Sequence, residues 1–100
     1  MLTDKFKEWL EKQTDKFVII DQYEYDPTPP SPKSDGSVVI NFTDKKDQYI
    51  GEITVRNTGG YIDADLLHIY TEEHVWDISC SVDNDVDFTL LFKDLFDYLK

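Results

Sequence analysis

Leu2, Phe6, Trp9, Leu10 and Gln13 recur at helical intervals at the start of the chain, with lysines and acids between them. That spacing predicts an amphipathic helix over about residues 3–15, capped by Thr3 or Asp4, with Trp9 in the core. The period then changes. KFVIIDQYEYD (16–26) is rich in β-branched and aromatic residues and reads as a strand. SVVINFT (37–43) alternates, with Val38, Ile40 and Phe42 on one face. QYIGEITVRN (48–57) turns Ile53 and Val55 inward and Glu52, Thr54 and Arg56 outward. YIDADLLHIY (61–70) is a fourth strand, and VWDISCSV (75–82) a fifth, which sets Trp76, Ile78, Cys80 and Val82 against Asp77, Ser79 and Ser81. DKKD, NTGG and TEEH supply the turns between them. The last segment, DNDVDFTLLFKDLFDYLK, places Phe88, Leu91, Phe92, Leu95, Phe96 and Leu99 on one stripe. It predicts a second amphipathic helix, with Asp85 or a nearby acid at its N-terminus, where the dipole favours negative charge.

A helix, about five successive strands and a helix imply an α+β fold. The expected architecture is a two-layer sandwich, a mostly antiparallel meander with both terminal helices on one face. Trp9, Phe42, Ile53, Trp76, Phe88, Phe92 and Phe96 are its expected core. At 100 residues the chain reads as one domain, residues 1–100, able to bury roughly two thirds of its unfolded surface.

Register can be read for two hairpins. A two-residue Gly59-Gly60 loop opposes Arg56 to Asp63 and Thr54 to Asp65, with Val55 opposite Ala64 and Ile53 opposite Leu66. A two-residue Glu72-Glu73 loop pairs Leu67 with Ile78, which conflicts in parity with Ile62, Ala64 and Leu66 pointing inward. An odd loop length or a bulge near Leu66–Leu67 removes the conflict.

All four prolines, Pro27, Pro29, Pro30 and Pro32, fall in PTPPSP between the first two strands. A polyproline ligand for an aromatic groove is one reading. A rigid strut is favoured, because the segment is mid-domain and proline removes entropy from a long connection.

Charge changes the picture most. Asp and Glu total 21 against 10 Lys and Arg, for a net −11. Residues 51–100 carry most of the excess, and no Lys or Arg lies between Arg56 and Lys93. Such a chain repels nucleic acid and anionic membrane and attracts a basic partner, although an acidic surface can also serve solubility alone. The outward face of strands three to five gathers Glu52, Thr54, Asp63, Asp65 and Asp77, with Arg56 as its lone cation and Tyr61 at its margin. Aspartate is depleted in strands, yet it recurs here in DAD and WDI. Glu52, Tyr61, Asp63, Asp65 and Asp77 are therefore the candidate binding residues, with Glu72–Glu73 and Asp83–Asp87 as the next acidic segments.

Catalytic chemistry finds no constellation. Cys80 alternates with apolar residues and is expected to be buried and inert, which weighs against a Cys–His nucleophile with His68 or His74. DNDVD imitates the start of a calcium loop, but Phe88 stands where the loop needs glycine and Asp94 where it needs glutamate, so a helix cap is the better reading. One cysteine and two histidines give no zinc spacing. No cofactor and no metal are expected, and no enzyme activity. One cysteine permits no intrachain disulfide, and MLTDKFKEWLEKQTDKF has no apolar signal region, so a cytoplasmic location is expected.

The helix with Trp9, YEYDPTPPSP, then YIGEITVRNTGGYIDADLLHIYTEE and an acidic C-terminal helix resemble the TriTu family of bacterial immunity proteins. YIGEITV (49–55) followed by DADLLHI (63–69) carries most of the likeness; Arg56 departs from it, standing where an aromatic is expected. The resemblance implies a small cytoplasmic protein encoded beside a polymorphic toxin, including those of contact-dependent growth inhibition systems. It implies action by tight stoichiometric binding to a toxin domain, monomeric when free, with no catalytic residue. A basic nuclease is the expected partner, since a nuclease needs a basic surface for its substrate and an acidic protein can cover it. The alternative is an acidic adaptor or structural interaction module with no toxin partner.

Overall fold

A computed structural model describes residues 2–13, 15–25, 36–83 and 85–99. The proline segment, and with it the strut reading, lies outside the described residues. The elements are α1 (Leu2–Glu11), β1 (Val18–Tyr25), β2 (Ser37–Thr43), β3 (Tyr49–Arg56), β4 (Tyr61–His68), β5 (His74–Ser81), α2 (Phe88–Leu91) and α3 (Lys93–Tyr98). The strands form one open antiparallel sheet in the order β1-β2-β3-β4-β5, with the helices packed on one face. This is the α+β meander that the alternating pattern predicts.

Hydrophobic burial on that face holds the layers together. Val38, Ile40, Phe42, Ile53, Val55, Ile62, Ala64 and Leu66 of the strands meet Leu2, Phe6, Leu10, Phe88, Phe92, Leu95 and Phe96 of the helices. Each large side chain buried this fully contributes about 1.5–3 kcal/mol. Phe17, just before β1, is a core residue too, 5.0 Å from the Phe42 ring and 6.2 Å from that of Phe96. Gly51 faces inward, where a Cβ would collide with the Phe42 ring, so the missing side chain lets that ring lie across β3. Trp9 and Trp76 sit at the margin of the core and are half-buried. The indole of Trp9 lies 5.4–5.7 Å from the rings of Phe88, Phe92 and Phe96, while its Nε1 donates to Thr89 Oγ1 at 3.0 Å near the surface. Cys80 is also half-buried, not enclosed as expected, because β5 is an edge strand with no neighbour on its outer side among the described residues.

Three element boundaries differ from the pattern. The first helix stops at Glu11, and Lys12 and Gln13 close it with three-residue turns to the carbonyls of Trp9 and Leu10. Its N-terminus is held from a distance: Thr3 N–H donates to Asn57 Oδ1 at 3.0 Å, and Asn57 Nδ2 donates to Thr3 Oγ1 at 3.1 Å. The C-terminal stripe is divided in two at Phe92, and α2 is capped by Asp87, whose Oδ1 accepts from Thr89 N and Leu90 N.

The β3–β4 connection contains four residues, not two. Asn57 is tied to Gly36 and Thr3, and Gly59 and Gly60 both take positive φ. At Gly60 a Cβ would also collide with the Val82 carbonyl, so no other residue fits there. The register shifts by two from the one predicted, to Arg56↔Tyr61, Thr54↔Asp63 and Glu52↔Asp65. A shift of two preserves which face each side chain occupies. Between β4 and β5 the parity conflict is resolved by an irregularity at Leu66/Leu67, with Val75 as the additional residue. No helix among the described residues is long and apolar enough to cross a membrane.

Candidate partner-binding face

Since the helices cover one face of the sheet, the other is left to solvent and to whatever binds there. Its side chains run in rows across the strands. One row is Asp21–Asn41–Glu52–Asp65–Asp77, from β1 to β5. The next is Tyr23–Val39–Thr54–Asp63–Ser79. Beyond it Ser37, Arg56, Tyr61 and Ser81 stand opposite one another. All five candidate residues therefore lie on this face.

The corrected register concentrates charge more than the predicted one. Glu52, Asp65 and Asp77 stand directly opposite on three adjacent strands, and Asp63 lies two residues from Asp65 on the same side. Directly opposed side chains have Cβ atoms about 4.5–5.5 Å apart, close enough for like charges to destabilise the sheet. Among the described residues Arg56 is the only Lys or Arg in these rows, four residues along β3 from Glu52. Among the described residues the basic group beside Asp65 is the imidazole of His74, with Nδ1 3.5 Å from Oδ2. Partial burial raises the pKa of the Asp65 carboxyl above the ordinary aspartate value; His74 opposes the shift, and the charges of Asp63 and Asp77 add to it. The ionised form of Asp65 is thus held at a cost. The carboxylates are spread along a row, and among the described residues no three His, Cys, Asp or Glu side chains converge as metal ligands.

Tyr61 and Arg56 close one end of the face. The Tyr61 hydroxyl and Ser79 Oγ are hydrogen-bonded, and the Arg56 guanidinium lies 6.0 Å from the Tyr61 ring centre. Tyr61 is half-buried, and its hydroxyl reaches β5 at Ser79. At the other end the face is mixed: Val18, Ile50 and Leu67 supply apolar side chains, with Thr43 and His74 in the same row. Val18 and Ile20 are each 51% exposed and Ile50 37%, and Tyr23 is exposed on the opposite flank of the row. Charge gives no sign of these residues, although the alternation that turns Glu52 and Thr54 outward also turns Ile50 outward.

The other acidic segments have roles in the fold. Asp87 is the α2 cap, and Glu72 occupies a turn at positive φ. No family model matches the chain, and neither a curated protein nor a solved structure does.

Proposed function

We propose that this chain is a cytoplasmic protein inhibitor of the bacterial immunity type, similar to the TriTu family, which neutralises a basic toxin domain by stoichiometric binding and without catalysis. The observation that carries the reading is the row Glu52–Asp65–Asp77, three carboxylates opposed with no lysine or arginine between them. A fold gains nothing from that arrangement, because each opposed pair opposes sheet formation. A basic partner turns the repulsion into attraction when it docks. The aliphatic end at Ile50 and Leu67 adds area that such a partner can desolvate. A toxin acting on nucleic acid fits best, since a surface that holds phosphates complements a row of carboxylates.

Binding through such a face has a kinetic use: complementary fields speed encounter to roughly 10⁸ M⁻¹s⁻¹ or more at low salt, so a toxin is captured early. The test is co-expression with the toxin domain encoded beside this gene. A one-to-one complex whose association slows steeply as salt rises agrees with the reading. A chain that remains alone leaves only the acidic adaptor with no toxin partner, and a complex indifferent to salt overturns binding through complementary charge.

A further inference from the structure

Of the two open edges of the sheet, β5 is the one prepared to receive another strand. Among the described residues it pairs with β4 alone, and Val82 N–H donates to the Gly60 carbonyl at 2.7 Å where that pairing ends. Antiparallel ladders alternate, so the backbone groups of Cys80, Ile78 and Trp76 turn toward β4. Those of Asp77, Ser79 and Ser81 then point outward from the sheet edge. Edge strands are ordinarily blunted by proline, lysine or a bulge. β1, the opposite edge, has a bulge between Ile19 and Asp21 near its start, and it turns Gln22 and Glu24 to the inward face opposite Ile40 and Val38, where inward charge blunts an edge. In β5 no proline, lysine or arginine occurs, and its single irregularity, at Val75, leaves Trp76 to Ser81 regular.

A second, independent observation is that the core is unfinished along this edge. On β4 the inward side chains Ile62, Ala64 and Leu66 are buried, whereas their β5 partners Cys80, Ile78 and Trp76 are only half-buried. On the outward side of the same edge stands Asp77, with Asp65 behind it. An incoming strand would thus meet apolar side chains on one face and carboxylates on the other.

We propose that β5 accepts an extended segment of the partner as a sixth strand, one in which basic and apolar residues alternate. This rests on the reading of the chain as an inhibitor of a basic protein. Backbone hydrogen bonds to Asp77, Ser79 and Ser81 supply the pairing, lysine or arginine side chains meet Asp77, and the alternate apolar side chains cover Ile78 and Cys80. A second copy of this chain fits the edge poorly, because each copy has a net charge of −11.

The probe is a short capped peptide alternating lysine and valine, added at low salt to the isotope-labelled protein, with amide hydrogen exchange as the readout. In the free protein the amides of Asp77, Ser79 and Ser81 exchange fast and those of Ile78 and Cys80 slowly. With the peptide, exchange at Asp77, Ser79 and Ser81 slows by about tenfold or more. A peptide alternating glutamate and valine has no effect. Ser79→Pro abolishes the response, because it removes the central outward N–H at a position where a free edge tolerates proline. Ser79→Ala, which keeps that N–H, retains it. Protection at β1, or none on either edge, overturns the proposal. Capture of the toxin domain without protection at β5 overturns the proposal and leaves the inhibitor reading standing. Protection by the peptide with no toxin captured does the reverse.

Discussion

Replacing Asp65 by asparagine should stabilise the free protein. Its carboxylate stands directly opposite Glu52 and Asp77. Charges separated by about 5.5 Å repel by roughly 0.8 kcal/mol in bulk water, and screening at a Debye length near 8 Å reduces this to about 0.4 kcal/mol. Two such pairs give roughly 0.8 kcal/mol, and partial burial of the carboxyl adds to it. Loss of the His74 contact subtracts little, since the two side chains are 67% and 41% exposed. The net expectation is a gain of about 0.5–1.5 kcal/mol, or roughly 2–10 °C in Tm for a domain of this size. Differential scanning calorimetry measures it. The pH dependence follows from the raised carboxyl pKa. Folded Asp65 holds its proton more tightly than unfolded Asp65, so the native chain loses stability as pH rises from the unfolded value through the folded one. The asparagine of the variant does not titrate, so its advantage is full above that window and shrinks as the pH falls through it. Added salt should narrow the gap as well. Asp65→Asn melting at or below the native temperature in low-salt buffer at neutral pH would refute the claim that the row is strained.

Two further substitutions probe supports set in turns. Asn57→Ala removes the pair of hydrogen bonds to Thr3 at the start of α1 and should cost about 1 kcal/mol, read by chemical denaturation, with early loss of protection in α1. Asp44→Ala removes a buried carboxylate that accepts from Gln48 N at 2.6 Å and Tyr49 N at 2.9 Å, and should cost about 1–3 kcal/mol in the same assay. Neither residue lies on the outward face, so both variants should retain whatever affinity the native chain has.

Periodicity made most of this fold legible. The inward sets Val38–Ile40–Phe42, Ile53–Val55 and Ile62–Ala64–Leu66 follow from alternation, and because the register error was two residues no side chain changed face. Parity alone also pointed to Leu66–Leu67, where the irregularity lies. What escaped depends on contacts between distant parts of the chain. Asn57 reads as turn chemistry, yet its side chain is engaged by Thr3, which lengthens the loop and moves the register. Trp76 and Cys80 have the pattern of core residues but lie on an edge strand, and strand order is invisible to a count of alternating residues. The break at Phe92 lies within an unbroken apolar stripe that gives no sign of it. For the candidate face, the sequence supplied the residues and their side of the sheet. Only the register brought Glu52, Asp65 and Asp77 into one row.

Whether a basic toxin domain docks on this acidic face is decided by isothermal titration of that domain with the native protein and with a variant changed at Asp63→Lys, Asp65→Lys and Asp77→Lys. All three sites face outward, and circular dichroism of the variant should match that of the native chain. The native protein should bind tightly and one-to-one, with affinity weakening as salt rises, and the folded variant should lose binding. Native-like affinity in the folded triple variant would contradict docking on this face.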